Sequence, residues 1–353
     1  MSVIFAIFIF SVLIFVHELG HFITAKLSGV QVNEFSMFMG PAIWKKQVGE
    51  TLYAIRCIPI GGYCAMEGED EDTGNPRSFK KAAWWKRLII LVAGSAMNLL
   101  TGLLIYACLF LPADQVIVPE IREFTDCCIF NTEDGLQLGD EILEIDGEKV
   151  YTNNDISLLL HLNPSGVHDL VIRRDDKILE FHDYAMTHMC QDQNGEDYVH
   201  YGFGFGAVKD ADLASNLSYV GKIVADDVRM VRLSLQMLLS GQAGLNDMAG
   251  PVGIVSQMSD IAAESGSAWN AFLNLLSVGA FLAINLAVMN LLPIPALDGG
   301  RAVCLLLTTA VEAVTKKKID PKYEGYLHAA GMILLLGLMA VVMFKDIFVL
   351  FKR

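Results

Sequence analysis

Charged side chains are scarce over much of this chain. Four stretches contain few or none: residues 1–16, 88–113, 265–297 and 329–351. Only the last contains any, Lys345 and Asp346. With 53% hydrophobic residues and a mean hydropathy of +0.43, the composition excludes an ordinary water-soluble enzyme. Because about 20 apolar residues in a helix cross the hydrocarbon core of a bilayer, the pattern predicts a polytopic α-helical membrane protein with four transmembrane helices.

A removable secretory signal is not expected at the amino end. Such a signal begins with basic residues and ends at a small-residue cleavage site. Here the first Lys is Lys26, and no clear cleavage site follows the apolar run. We therefore interpret the first stretch as a transmembrane helix that is retained.

Cysteine is too sparse and too irregular to form a disulfide framework. The count of seven is odd, and Cys127 and Cys128 are adjacent. We interpret the cysteines as packing residues. The sequence assigns no role to Cys57 and Cys64.

Basic residues are scarce where acidic residues are abundant. Residues 113–269 carry 27 of the 40 acidic residues but only nine of the 26 Lys and Arg. The segment 26–87 carries nine basic residues and the segment 301–328 carries five, including Lys316, Lys317 and Lys318. The positive-inside rule places these two segments in the cytoplasm and residues 113–269 outside. No basic stripe lies on the large polar segment, which argues against nucleic-acid binding.

Between the apolar stretches, two segments predict β-structure. Residues 30–65 alternate apolar and polar side chains around the turn signals Gly40-Pro41 and Gly49, which predicts a small membrane-associated antiparallel sheet. Residues 113–210 predict a mixed α/β domain in which an Asp146-Gly147 turn joins two strands and a short helix covers residues 156–162. Residues 211–265 predict a helical segment, either interfacial or simply packed.

The motif with the clearest chemistry is His17-Glu18-Leu19-Gly20-His21. On a helix, histidines at positions i and i+4 face the same way and can bind one Zn²⁺, while Glu18 can act as a general base. A carboxylate between two histidines at the end of a membrane span is costly without a partner or a hydrated pocket. The run therefore indicates a catalytic zinc site rather than a polar helix end.

A catalytic zinc site typically uses three protein ligands, and Asp298 is the candidate for the third. It is the first charged residue after the 33 neutral residues 265–297. Pro293 and Pro295 forbid a regular helix just before it, so the third span is expected to break there. The alternative is that Asp298 caps the helix beginning near Gly299-Gly300. Beside His17 and His21, we favour the ligand.

Together these motifs resemble the site-2 protease family of intramembrane zinc metalloproteases. The resemblance rests on the His-Glu-Leu-Gly-His run, on Asn-x-x-Pro-x-Pro-x-Leu-Asp-Gly-Gly at residues 290–300, and on lesser matches at residues 94–98 and 250–254. The run Gly-Leu-x-x-Gly-Asp at residues 135–140, followed by a strand, an Asp-Gly turn, a strand, a helix and a strand, is similar to a PDZ domain. That insert is typical of the bacterial branch of the family.

The resemblance implies specific roles for the site residues. His17, His21 and Asp298 would bind Zn²⁺, and Glu18 would activate the zinc-bound water. Asn290 would hold the extended substrate backbone. Gly61, Gly62 and Tyr63 would end the membrane-associated sheet, which would receive the substrate as an added strand.

It also implies partners and a location. The substrates would be single-span membrane proteins such as anti-sigma factors or signal-peptide remnants, cut within their transmembrane segments after another protease has trimmed them. The protein would lie in a bacterial inner or plasma membrane, with the active site toward the cytoplasm. The PDZ-like domain would lie outside, as a filter against substrates with large outer domains.

The sequence thus divides into four parts. Residues 1–112 and 266–353 form the two halves of a membrane protease core, residues 113–210 the PDZ-like domain, and residues 211–265 the helical segment. A catalytically silent PDZ scaffold is disfavoured because both metal motifs are intact. A metal transporter is disfavoured because no repeated halves are visible.

Overall fold

The computed structural model describes residues 2–69, 73–124, 135–191, 197–244, 247–316 and 321–352. It divides into two compact units. Unit 1 comprises Met1–Ile105 and Ser234–Arg353, and unit 2 comprises Tyr106–Leu233. Cys127, Cys128, Lys317 and Lys318, which are named above, lie outside the described residues. Cys57, Cys64, Cys108 and Cys304 are free thiols.

Unit 1 contains the apolar helices that the sequence predicts. Among the described residues, four helices are long and apolar enough to cross a membrane. They are α1 (Ser2–Ser28), α2 (Trp84–Phe110), α6 (Ala268–Leu291) and α8 (Pro321–Lys352). This number agrees with the four predicted spans and with a polytopic membrane protein. Helix α1 continues beyond the apolar stretch, so the His-Glu-Leu-Gly-His run lies within regular helix.

The third span ends earlier than its uncharged stretch. Helix α6 stops at Leu291, and α7 (Asp298–Thr315) begins only at Asp298. The residues between them contain Pro293 and Pro295, which lack the backbone N–H groups that a continuing helix would need. The predicted break is therefore present, and it places Asp298 at the start of a new helix.

A bent β-hairpin lies between α1 and α2. Its strands are β1 (Val32–Val48) and β2 (Thr51–Met66). The first half of β1 pairs with two different parts of β2, one on each side, because Phe35 lies opposite Tyr53 and also opposite Cys64. Residues 62–66 of β2 pair only with the first half of β1, so they form one edge of the sheet. The hairpin exposes several large apolar side chains: Met39, Ile43, Trp44, Ile55 and Ile58.

Two buried clusters hold unit 1 together. One joins α1, the hairpin, α2 and α7 through Ala25, Phe35, Ile90 and Leu305, among others. The other joins α1 to α5 (Pro251–Glu264) and α6 through Ile9, Met258 and Ala283, among others. The first cluster contacts both helices that carry the motif residues, and it therefore fixes α1 against α7.

Unit 2 is a mixed α/β unit with its own core. Its six-stranded sheet has the order β10-β3-β4-β6-β7, with β5 paired to β4, and a separate pair is formed by β8 and β9. The strands are β3 (Gln115–Phe124), β4 (Glu141–Ile145), β5 (Glu148–Lys149), β6 (Val167–Arg174), β7 (Lys177–Ala185), β8 (His188–Gln191), β9 (Asp197–His200) and β10 (Phe203–Asp210). The core includes Leu136, Ile142, Ile156 and Ile172, all completely buried.

Helix α3 (Asn153–Leu162) begins three residues earlier than the sequence predicts. The N-cap is Thr152, and Asp155 completes a capping box. Asp155 Oδ2 accepts hydrogen bonds from the backbone N–H groups of Tyr151 at 2.6 Å and Thr152 at 2.8 Å. Because these bonds satisfy N–H groups at the helix start, the helix includes residues that sequence reasoning assigned to the cap.

Helix α4 (Leu213–Ser240) carries an unusual set of buried charges in its unit 2 part. Arg229 forms ion pairs with Asp155 and Asp226. Asp227 accepts a hydrogen bond of 2.8 Å from the hydroxyl of Tyr106. These contacts show that this part of α4 packs against the rest of unit 2.

Candidate metal centre and active site

Three candidate ligand atoms meet in unit 1. Asp298 Oδ2 lies 3.0 Å from His17 Nε2 and 3.2 Å from His21 Nε2. The two Nε2 atoms are 3.2 Å apart. Both histidines are buried, at 8% and 7% exposure. Among the described residues, these three side chains form the one group of His, Cys, Asp and Glu arranged so that it could hold a metal ion.

The geometry of this group fits zinc. For metal–ligand bonds of about 2.0–2.1 Å, the corners of a tetrahedron lie about 3.3 Å apart. The three observed separations are slightly shorter than that edge. Two imidazoles and one carboxylate also make a ligand set found in catalytic zinc sites, which leave the fourth position for water or substrate.

Asp298 does not cap its own helix. The N-cap of α7 is Leu297, and Asp298 is the first helical residue. Burial alone would raise the pKa of the Asp298 carboxyl, but the imidazoles of His17 and His21 hold that pKa below its ordinary value. An ionised carboxylate is the form that binds a metal.

Helix α2 approaches both histidines at a glycine. A Cβ atom placed on Gly94 would lie 2.8 Å from His17 Nε2 and 2.7 Å from His17 Cε1, and closer still to His21 Nε2. No ordinary side chain fits at such distances. Gly94 is therefore required by the close approach of α2 to the candidate ligands.

The outer nitrogens of the two rings also face α2. His21 Nδ1 lies 2.8 Å from the carbonyl oxygen of Ile90. An imidazole that donates its Nδ1–H to a carbonyl keeps the Nε2 lone pair free for a metal. His17 Nδ1 faces the side-chain amide of Asn98 at 3.3 Å. Helix α2 thus contacts both rings at their Nδ1 atoms as well as at Gly94.

The broken segment before Asp298 is held by helix α8. Ala296 adopts a left-handed backbone with φ of 80°, an uncommon conformation for a residue with a side chain. Its backbone N–H donates to His328 Nδ1 at 3.0 Å. A Cβ atom on Gly331 would lie 2.7 Å from the carbonyl carbon of Pro295, so a glycine is needed for α8 to approach this segment.

Glu18 is half-buried beside the metal candidates and faces the hairpin. A Cβ atom on Gly62 would lie 3.5 Å from Glu18 Cγ and 3.4 Å from Ile14 Cγ2. The edge segment 62–66 therefore begins directly against α1 at Glu18. Gly61 has a positive φ of 73°, and the Tyr63 hydroxyl donates to Glu34 at 2.8 Å.

Asn290 lies in the last turn of α6 and is half-buried. The next residue in the chain, Leu291, has its carbonyl packed directly against Gly299, which follows Asp298. Asn290 is therefore close to the metal candidates. The structure thus brings the ligand candidates, Glu18 and Gly62 together, and it places Asn290 at the neighbouring helix end. Sequence reasoning noted residues 94–98 only as a lesser match and did not identify Ile90 or His328.

Two buried histidines facing a carboxylate are typical of a catalytic zinc site, and comparison with known proteins gives the class of protein directly. The chain belongs to peptidase family M50, the site-2 protease family, whose profile matches residues 5–338. It is a zinc metalloprotease of the membrane, and its cofactor is zinc.

Relatives match over almost the full length of the chain. A protein named as a zinc metalloprotease from Clostridium perfringens is 34% identical over 351 residues, covering 98% of each chain. Another from Clostridium acetobutylicum is 33% identical over 346 residues, covering 98% of this chain and 97% of the relative. The regulator of sigma-W protease RasP of Bacillus subtilis is 28% identical over 431 residues, covering 98% of each chain.

Proposed function

We propose that this protein hydrolyses peptide bonds within the transmembrane segments of single-span membrane proteins, with His17, His21 and Asp298 as its zinc ligands. The convergence of the three donor atoms within a buried site carries the proposal. Their separations suit tetrahedral zinc, and all three belong to elements fixed by one buried cluster.

Zinc, when bound, supplies a Lewis acid that polarises the scissile carbonyl and lets a water molecule lose its proton near neutral pH. Glu18 follows His17 on α1 and faces the start of the sheet edge. We assign to Glu18 the role of general base, which removes the proton from the attacking water. The same carboxyl then donates that proton to the leaving amine.

The sheet edge supports a docking mode for the substrate. Residues 62–66 leave one side unpaired among the described strands, and this side begins beside Glu18. A substrate helix must unwind before its peptide bonds become accessible, because its N–H and C=O groups are otherwise paired within the helix. An extended substrate added to this edge would recover those hydrogen bonds. Asn290, which precedes Leu291 at the end of α6, would hold the substrate backbone.

The basic segments 26–87 and 301–328 favour a cytoplasmic location for the ends of the spans that carry the metal motifs. Residues 113–210, which contribute most of the separate core of unit 2, would then form an extracytoplasmic PDZ-like domain. Such a domain suits a filter that admits substrates only after another protease has removed their outer domains. The Bacillus relative is named a regulator of sigma-W protease. Anti-sigma factors and signal-peptide remnants are the substrate classes that we propose.

The experiment compares the full-length wild type with Glu18→Gln in a bilayer or detergent. The substrates are one single-span protein with and without its outer domain. A matched control is Glu264→Gln, at an exposed glutamate of α5.

We expect wild type and Glu264→Gln to cut the trimmed substrate and to spare the untrimmed one. Glu18→Gln should retain zinc but lose at least about 100-fold in cleavage rate, the range expected for removal of a general base. Equal cleavage by Glu18→Gln would overturn the assignment of the base. Equal cleavage of both substrates would overturn the filter.

A further inference from the structure

Asn98 carries a buried amide whose hydrogen bonding does not suit a metal-binding histidine. The residue is completely buried in α2. Its Nδ2 lies 3.3 Å from His17 Nδ1. Its Oδ1 is buried and has no hydrogen-bond partner among the described residues. An unpaired buried carbonyl is destabilising, so this arrangement is expected to be unfavourable.

The tautomer of His17 determines which amide atom should face it. A neutral imidazole carries one proton, on either Nδ1 or Nε2. His17 Nε2 points to Asp298 and His21 and must keep its lone pair free to bind zinc. The proton then lies on Nδ1, which becomes a donor. A donor facing the amide N–H₂ of Asn98 would be repelled.

A half-turn of the amide about the Cβ–Cγ bond exchanges the positions of Oδ1 and Nδ2, so that the repulsive contact with His17 is replaced by a hydrogen bond. The oxygen then accepts the proton of His17 Nδ1 and is no longer unpaired. We propose that Asn98 is a positioning residue that accepts this hydrogen bond and thereby fixes the tautomer and ring orientation of His17. The inference rests on the proposed role of His17 as a zinc ligand.

The placement of Asn98 on α2 supports this role. Ile90, Gly94 and Asn98 recur every four residues, so they share one face of the helix. That face presents the Ile90 carbonyl to His21, a space at Gly94, and the Asn98 amide to His17. Each histidine on α1 therefore has its own acceptor on α2. For His21 the acceptor is backbone, and for His17 it is a side chain that mutation can remove.

The test uses two replacements of similar size with opposite chemistry. Asn98→Leu removes the acceptor and introduces an apolar side chain of similar size, which suits a buried helix. Asn98→Asp keeps an acceptor and forms the carboxylate–histidine–metal arrangement common in zinc sites. The control is Thr101→Val on the same helix, where the hydroxyl donates to the Met97 carbonyl and to no other group among the described residues. All are made in the full-length protein.

Two measurements report on the site independently of cleavage. The first is Zn²⁺ affinity by competition with a chelator. The second is the visible absorption of the Co²⁺-substituted protein, which depends on ligand identity and geometry.

We expect Asn98→Leu to lower Zn²⁺ affinity by about 10- to 100-fold, the usual effect of removing an outer partner of a ligand, and to alter the Co²⁺ spectrum. Asn98→Asp should bind Zn²⁺ at least as tightly as wild type, and Thr101→Val should match wild type. If Asn98→Leu does not fold, Asn98→Ala also removes the acceptor and is expected to show the same loss.

A role in packing alone reverses the order of the two variants, because a buried Asp disturbs an apolar helix contact more than Leu does. Weaker Zn²⁺ binding by Asn98→Asp than by Asn98→Leu would therefore overturn the inference. So would wild-type affinity and an unchanged Co²⁺ spectrum in Asn98→Leu. Failure of the wild type itself to bind metal, or unchanged affinity in His17→Ala, would instead refute the proposed zinc site.

Discussion

Replacing Gly94 by Ala adds one methyl group where α2 faces the candidate ligands. In a helix interior this change ordinarily stabilises by about 1 kcal/mol, because glycine is a poor helix former. Here the new Cβ would lie 2.8 Å from His17 Nε2, whereas ordinary contacts begin at 3.4 Å. The ring of His17 would have to retreat by about 0.7 Å, because its Cε1 would lie only 2.7 Å away, and the ring of His21 by more. Zinc sites tolerate only about 0.2 Å in their bond lengths.

The methyl group therefore displaces at least one ligand. Loss of an outer partner alone typically lowers metal affinity by about 10- to 100-fold. Loss of a direct ligand should lower zinc affinity by at least about 100-fold, which corresponds to about 2.7 kcal/mol of binding free energy. Retreat of α2 as a whole would instead disrupt the buried contacts of Ile90 and Leu91.

The assay measures the Zn²⁺ content of purified protein in a zinc buffer, together with thermal unfolding. Gly102→Ala is the matched control, because its Cβ would also clash, at 2.6 Å from Ile284 Cγ1, but would not touch the histidines. We expect Gly94→Ala to lose zinc, and Gly102→Ala to lose stability while its folded fraction keeps zinc. Wild-type zinc affinity in Gly94→Ala would refute the reasoning.

Two further predictions test the supports of each unit. His328→Leu leaves the Ala296 N–H without its acceptor, so the free energy of unfolding should fall by about 1–3 kcal/mol and zinc affinity should fall with it. The control His182→Leu, at an exposed histidine, should change neither quantity. Equal effects of the two variants would contradict the role of His328. In unit 2, burial raises the pKa of Asp227 from 3.8 to about 7. The folded state thus favours the protonated carboxyl. The contribution of Asp227 to the free energy of unfolding is therefore highest below about pH 4, falls as the pH rises toward 7 and is constant above that. Asp227→Asn should weaken that fall in thermal unfolding between about pH 4 and 8, and an identical pH profile would exclude this group as a cause.

Much of the architecture follows from local patterns in the sequence. The apolar stretches predict the four long helices because a membrane span needs only length and the absence of charge. The pair Pro293 and Pro295 predicts the break before Asp298, because proline removes helix hydrogen bonds wherever it occurs. The Asp146-Gly147 turn and the strands around it are predicted because hairpin turns depend on a few adjacent residues.

Other features depend on contacts between distant residues. Helix α3 begins at Asn153 because the Asp155 carboxylate bonds back to two N–H groups, and propensity alone did not determine that boundary. The contacts of Ile90 and Asn98 with the histidines join residues 69 and 81 positions apart. His328 lies 32 positions from Ala296. No periodicity marks such pairs, because each arises only when two helices pack.

The sequence by itself determined the chemistry of this protein: two histidines one helical turn apart, a carboxylate between them, and an aspartate after a broken span. These properties are local, since side-chain type and helix period decide which groups can bind a metal together. Only the tertiary structure decided that Asp298 turns toward His17 and His21 rather than capping its own helix. It also showed that α2 supports the site, because Gly94 and the amide of Asn98 contact the histidines only where α2 packs against α1.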